Sequence, residues 1–267
     1  MLSGFMLAFR EGLEAALIIS IVLSVVIKID RRDLTVSVWL GALAGVVTSL
    51  LIGFGFFRAG LELEGASEEL FEAFTMLLAA GILTWMIFWM QNQAGNLKSE
   101  VENKVNQSNG RTQIFFISFL AVLREGVELA LFLLAAGFAG SSRSILPGAL
   151  LGLAAAVLLG FIWLRSSGKL SLKRFFQVTN ILLLLFAAGL VALGVHALIE
   201  LHWLPAVVDP LYDLSFLLPE TSVPGTLLSA LFGYRSSPTL LEVVAFWGYL
   251  VSVLLIQAKN KTPATND

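Results

Sequence analysis

The sequence predicts an all-α integral membrane protein with seven transmembrane helices, and three observations carry that reading. Seven apolar runs, at about 3–27, 35–57, 70–91, 113–138, 145–164, 176–199 and 239–257, are each long enough to cross the hydrocarbon core of a bilayer. Of the 267 residues 57% are hydrophobic and only 13% charged, about half the charge content of a soluble domain. Lysine and arginine, in turn, crowd into alternate connections between the runs. An apolar segment in lipid has no water to bond its backbone, so each run is expected to be helical.

Taken in order, the first run follows the uncharged Met1-Leu2-Ser3-Gly4, which lacks the basic start and small-residue cleavage site of a signal peptide, and it reads as a retained helix. Lys28, Arg31 and Arg32 follow helix one; Lys98, Lys104 and Arg111 follow helix three; Arg165, Lys169, Lys173 and Arg174 follow helix five; Lys259 and Lys261 follow helix seven. The other connections hold only Arg58, Arg143 and Arg235. The positive-inside rule then places the N-terminus outside and the C-terminus in the cytoplasm, as expected for a multi-pass protein of the cytoplasmic membrane. The outer side is acidic, with Glu62, Glu64, Glu68 and Glu69 in one loop and Glu200, Asp209, Asp213 and Glu220 in another. Such carboxylates concentrate cations at a surface, although solvated loop charges are the commoner explanation.

An internal repeat runs through the first six helices. Gly41-Ala42-Leu43 with Gly45, Gly53 and Phe54 is echoed at a constant offset by Gly148-Ala149-Leu150 with Gly152, Gly160 and Phe161; Phe71 and Thr75 likewise match Phe175 and Thr179, at a slightly shorter offset. Three helices per repeat make the second enter the membrane from the opposite side. The expected architecture is a 3+3 inverted-topology repeat plus one C-terminal helix, with a substrate site near mid-membrane. Its parts are a first repeat at 1–92, a cytoplasmic loop at 93–112, a second repeat at 113–200, an outer loop at 201–238, a seventh helix at 239–258 and a cytoplasmic tail at 259–267. Within the outer loop, Pro205 to Pro238 is too broken by proline and glycine to span, with an interfacial helix expected near Thr226 to Phe232.

Cysteine is absent, which removes disulfides, thiolate metal sites and thiol nucleophiles together. A net charge of −2 with no basic block gives no sign of a nucleic-acid partner. The chemistry concentrates instead in Arg10-Glu11-Gly12-Leu13-Glu14 in helix one and Arg124-Glu125-Gly126-Val127-Glu128 in helix four. Each ionisable group at mid-membrane costs roughly 2.5 to 3.5 kcal/mol, so four Glu and two Arg cost on the order of 15 kcal/mol, comparable to the net stability of a whole fold. Arg10 and Glu14 stand at i,i+4 and Glu11 and Glu14 at i,i+3, so one helix face carries a guanidinium and two carboxylates. Arg124, Glu125 and Glu128 repeat the pattern. Each motif is expected to be one ion pair plus one spare negative charge, and the two motifs facing each other would make a cation site of Glu11, Glu14, Glu125 and Glu128 held by Arg10 and Arg124. Gly12 and Gly126 clear space for a close neighbour.

Other residues carry further expectations. Glu72 sits about a turn inside helix three on the outer side, on the inward path of a cation, while Glu68 and Glu69 favour a helix N-terminus. His196 and Glu200 share a face at i,i+4, as a metal pair or as an ordinary hydrogen bond. Glu242 lies a few residues into helix seven, as a site carboxylate or a helix-start charge. Met86 and Met90 have no Cys or His company and read as packing.

The two charged pentapeptides in equivalent helices of a seven-helix layout resemble those of the oxidase-dependent iron transporter family, which includes fungal high-affinity iron permeases and bacterial EfeU-type permeases. Leu83-Thr84-Trp85-Met86-Ile87-Phe88-Trp89-Met90 and Phe175-Phe176-Gln177-Val178-Thr179-Asn180 support the resemblance, which covers essentially the whole chain. The resemblance implies iron, Fe2+ or Fe3+, as transported substrate with no permanent cofactor, and Arg10, Glu11, Glu14, Arg124, Glu125 and Glu128 as motif residues. It also implies an outer iron-oxidising or iron-binding partner protein, since this chain has no Cys/His copper site. Glycine-rich helices two and five suit contacts within a protomer or in a homo-oligomer. Two other readings stand beside it: a carrier of another hard cation, such as manganese, magnesium or a proton-coupled ion, and an intramembrane enzyme using a carboxylate pair.

Overall fold

The computed structural model describes residues 1–93, 103, 105, 110–139, 145–165 and 173–261, and no strand occurs among them. Most of the loop at 93–112, with Lys98 and Lys104, lies outside the described residues, as do Arg143, Lys169 and the tail beyond Lys261. Among the described residues seven long helices appear where apolar runs predict them: α1 (Leu2–Lys28), α2 (Thr35–Leu61), α3 (Ala66–Gln93), α4 (Arg111–Ala139), α5 (Ile145–Arg165), α6 (Lys173–Glu200) and α8 (Leu240–Lys261). The short α7 (Val223–Phe232) interrupts the loop before α8. Both of its ends carry helix signals: the Ser222 hydroxyl accepts a hydrogen bond from the Gly225 N–H at 3.1 Å, and Gly233 ends it at φ 63°.

Five of the helices, α2, α3, α5, α6 and α8, are long and apolar enough to cross a membrane. The other two long ones, α1 at 27 residues and α4 at 29, have the length but each carries a three-charge motif. Lipid explains an otherwise costly surface: α2 exposes Trp39, Leu43, Leu50, Leu51 and Phe54, and α5 exposes Leu146, Leu150, Val157 and Leu158, all by more than half. A water-soluble protein rarely shows an apolar face of that extent.

The chain divides into two compact units. The first comprises Met1–Glu62, Asn92–Leu134 and Ser142–Gln177; the second comprises Leu63–Gln91, Ala135–Ser141 and Val178–Asp267. In the first unit α1 is the central helix, with Leu7, Leu13, Leu17, Val22 and Val26 buried. Val22 and Val26 pack with Leu34, Val38 and Ile114, and Leu13 and Leu17 with Ala156 of α5.

Glycine decides how closely these helices approach. A Cβ on Gly41 or Gly45 of α2 would strike the backbone of Phe115 or Phe119 in α4, and one on Gly148 or Gly152 of α5 would strike that of Met1 or Phe5 in α1. Gly53 faces Ala130 as Gly160 faces Ala16. α2 thus meets α4 as α5 meets α1, with the glycines of each pair contacting correspondingly spaced positions. Gly126 meets Ser49, and Gly12 meets Leu153 and Ala156. In lipid such contacts hold helices by packing, because burial of apolar surface gains nothing over the hydrocarbon itself.

In the second unit the Gly189 backbone lies against that of Phe232 and Gly233 at the end of α7, and Gly194 packs on Leu77 of α3. Thr84 and Tyr249 share a 2.7 Å hydrogen bond between α3 and α8.

The close approach is testable. Gly148→Ala must displace backbone and is expected to cost about 1 to 3 kcal/mol, read as a lower Tm of the detergent-solubilised protein. Gly55→Ala, where a Cβ meets nothing within 4 Å, is expected to leave Tm unchanged or slightly raised.

Candidate metal centre

Both charged motifs fold inside the first unit. Helical geometry brings Arg10 between its two carboxylates: Nη1 lies 3.1 Å from Glu11 Oε1 and Nη2 lies 3.3 Å from Glu14 Oε1. The side chains of Arg10, Glu11 and Glu14 are 0%, 1% and 7% exposed, so these are interior ion pairs. In α4, Arg124 Nε donates to Glu128 Oε1 at 2.9 Å and stands 3.8 Å from Glu125 Oε1. Arg124 is 35% exposed, against 4% for Glu125, so the second motif is the wetter of the two.

Each motif sets one guanidinium against two carboxylates, which leaves one negative charge over. Arg10 engages the adjacent Glu11 as well as Glu14, because a buried guanidinium with five donors in a fixed fork takes every acceptor within reach. Across the pair of motifs four carboxylates face two guanidiniums, an excess of two negative charges.

One carboxylate oxygen each from Glu11, Glu14 and Glu125 lie within 4.8 Å of one another, all three residues buried. Glu128 joins this group through Arg124. An octahedral cation with bonds of about 2.1 Å needs ligand oxygens about 3.0 to 4.2 Å apart, so a small contraction would close the set around an ion. The oxygens Glu11 Oε2, Glu125 Oε2 and Glu128 Oε2 are buried yet accept no hydrogen bond from any described residue. A buried carboxylate oxygen left in that condition is expensive, and a cation is the partner its chemistry suits.

The remaining candidates lie in the second unit. Glu68 is exposed and Glu69 and Glu72 are half-buried on α3, with Glu72 within electrostatic range of Glu68, Glu69 and Glu200. His196 hydrogen-bonds Glu200 through Nε2 at 3.0 Å, as their spacing predicts. Its Nδ1 also meets Glu242 at 2.8 Å, a partner 46 residues away. Glu242 is buried and takes a further hydrogen bond from Thr239 Oγ1 at 3.1 Å, with Arg235 Nε at 3.7 Å. Sequence reasoning did not single out Arg235, His202 or Thr239, although Thr239-Leu240-Leu241-Glu242 has the spacing of a helix-capping pair.

Long helices with lipid-facing apolar sides around a buried, repeated ionisable motif define a multi-pass membrane protein with an internal polar site, the class to which transporters belong. The chain matches the iron permease FTR1 family over residues 1–259 and belongs to that family. It is a transport protein and not an enzyme. The ferrous iron permease EfeU of Yersinia pestis is 35% identical over 257 residues, covering 94% of this chain and 91% of the relative. The ferrous iron permease EfeU of Escherichia coli O6:H1 is 36% identical over 260 residues, covering 94% and 93%. No solved structure matches the chain.

The two arginines differ in burial, and removing them should show it. Arg10→Met strips the cation from two buried carboxylates and is expected to destabilise by about 3 to 5 kcal/mol, with little folded protein recovered. Arg124→Met, at a partly exposed position, is expected to give folded protein with a smaller Tm loss; equal behaviour of the two variants would contradict the burial difference.

Proposed function

We propose that this chain imports iron across the cytoplasmic membrane through the carboxylate cluster of the two Arg-Glu-Gly-x-Glu motifs. The observation that carries the reading is the convergence of Glu11, Glu14 and Glu125 around buried carboxylate oxygens with no hydrogen-bond donor. Family membership supplies the ion, and hard oxygen ligands suit it. In this reading Glu11, Glu14, Glu125 and Glu128 replace the water around the incoming ion. Arg10 and Arg124 limit the cluster's negative charge while it awaits the ion and hold its members in place. The outer carboxylates Glu68, Glu69 and Glu72 gather the cation from solution. Release requires the carboxylates to exchange partners, and protonation of a Glu at that step would couple iron to protons.

The architecture we propose is seven spans arranged as an inverted 3+3 repeat with a seventh helix, the N-terminus outside and the C-terminus cytoplasmic. Its support is the reciprocal glycine packing, in which Gly41, Gly45 and Gly53 meet Phe115, Phe119 and Ala130 as Gly148, Gly152 and Gly160 meet Met1, Phe5 and Ala16. An inverted repeat suits alternating access by rocking of one half against the other. Oxidation of iron, where it occurs, falls to an outer partner protein.

Proteoliposomes holding only this protein, offered radiolabelled ferrous and ferric iron separately, test the proposal. Wild type is expected to accumulate iron, while Glu14→Gln and Glu128→Gln, reconstituted to equal density, should lose at least tenfold in rate. Manganese and magnesium in excess should compete weakly. Undiminished uptake by both variants would remove the cluster from the transport path, and full competition by manganese would reassign the ion.

A further inference from the structure

The second unit holds a constellation the carboxylate cluster does not account for. His196 is bonded on both ring nitrogens, Nδ1 with Glu242 Oε1 at 2.8 Å and Nε2 with Glu200 Oε1 at 3.0 Å. A neutral imidazole has one N–H and one lone pair, so it satisfies only one carboxylate as a donor. The other pairing needs a second proton or a metal ion between nitrogen and oxygen.

The two carboxylates are unequal, and the inequality says where the ion would sit. Glu242 is 3% exposed, and its Oε1 is also fixed by Thr239 while Arg235 stands beside Oε2. It is built to hold Nδ1–H in one orientation. Glu200 is 54% exposed and lines, with His196, a cavity of about 490 Å³ whose wall includes Asp209 and His202. With Nδ1–H donated to Glu242, the Nε2 lone pair points toward Glu200. A carboxylate that orients one nitrogen of an imidazole so that the other binds metal is a recurrent arrangement.

Distances agree. In an octahedral site with bonds of about 2.1 Å, adjacent ligand atoms stand about 3.0 Å apart; Nε2 and Glu200 Oε1 are 3.0 Å apart already. The chain also turns sharply after α6 at His202, which takes a left-handed φ of 59° that costs a non-glycine residue about 1 to 2 kcal/mol.

We propose that His196 and Glu200 form a capture site for a divalent first-row transition-metal ion, with Glu242 as the buried residue that positions the imidazole. Imidazole beside carboxylate suits Fe2+, Mn2+, Co2+ or Zn2+, and disfavours Mg2+ and Ca2+, which want oxygen alone. Only the choice of ferrous iron as occupant in the cell rests on the transport reading.

Full-length protein in detergent, titrated with Mn2+ and examined by pulsed electron paramagnetic resonance, tests the site. The chain has only two histidines, so 14N modulation of the imidazole type reports His196 or His202 and nothing else. The modulation is expected in wild type and in Glu11→Gln/Glu125→Gln, and should vanish in His196→Gln. Glu200→Ala, at an exposed position that folding tolerates, should weaken Mn2+ at this site at least tenfold. Glu242→Gln should weaken it about 10- to 100-fold yet retain the modulation at saturation, as expected of a positioning residue. No modulation in wild type at saturating Mn2+ would overturn the proposal and leave a proton-bridged ion pair. Modulation that survives His196→Gln, or that disappears with Glu11→Gln/Glu125→Gln, would also overturn it. A nitrogen signal in protein whose liposomes take up no iron would count against the transport reading and leave this site standing.

Discussion

Six charged groups within the helices of a membrane protein, five of them buried, set the terms for everything around them. Four carboxylates and two guanidiniums are tolerable there only as mutual partners, and their helices must therefore stay in fixed contact. Arg10 divided between Glu11 and Glu14, and Arg124 between Glu128 and Glu125, are the minimum solution. In the proposed transport role, the two remaining negative charges draw the cation into the cluster.

The glycines serve that constraint. Helices bearing Gly41, Gly45, Gly148 and Gly152 approach their neighbours to backbone contact, and Gly12 and Gly126 accept a neighbouring side chain beside each motif. Lipid offers no hydrophobic reward for association, so close packing of small residues is the force available to keep α1, α2, α4 and α5 in register. The apolar faces of α2 and α5 turned away from these contacts suit the bilayer.

Much of this was legible in the sequence, for physical reasons that also mark where reading stopped. Apolar length alone located the seven long helices, since lipid permits no other local structure, and their ends moved by at most a few residues where polar residues continue a helix, as at Ser67 to Glu69 or Asn260. Both motifs, and their helical pairing of Arg10 with Glu14 and Arg124 with Glu128, follow from spacing within one helix. The Arg10–Glu11 pair did not, because adjacent residues on a helix diverge and only a long, forked guanidinium bridges them. His196 with Glu242 was beyond reach for another reason: a proline-rich loop of irregular conformation lies between them, and no periodicity encodes its path. His202, a non-glycine residue at positive φ, left no trace in composition or pattern.

The central claim is that iron binds among the carboxylates of the two motifs, and anomalous diffraction at the iron absorption edge from crystals grown with iron tests it most directly. A peak about 2.0 to 2.2 Å from oxygens of Glu11, Glu14 and Glu125 is the predicted result. An occupied iron position elsewhere, with those three carboxylates unliganded and still held by Arg10 and Arg124, would contradict it.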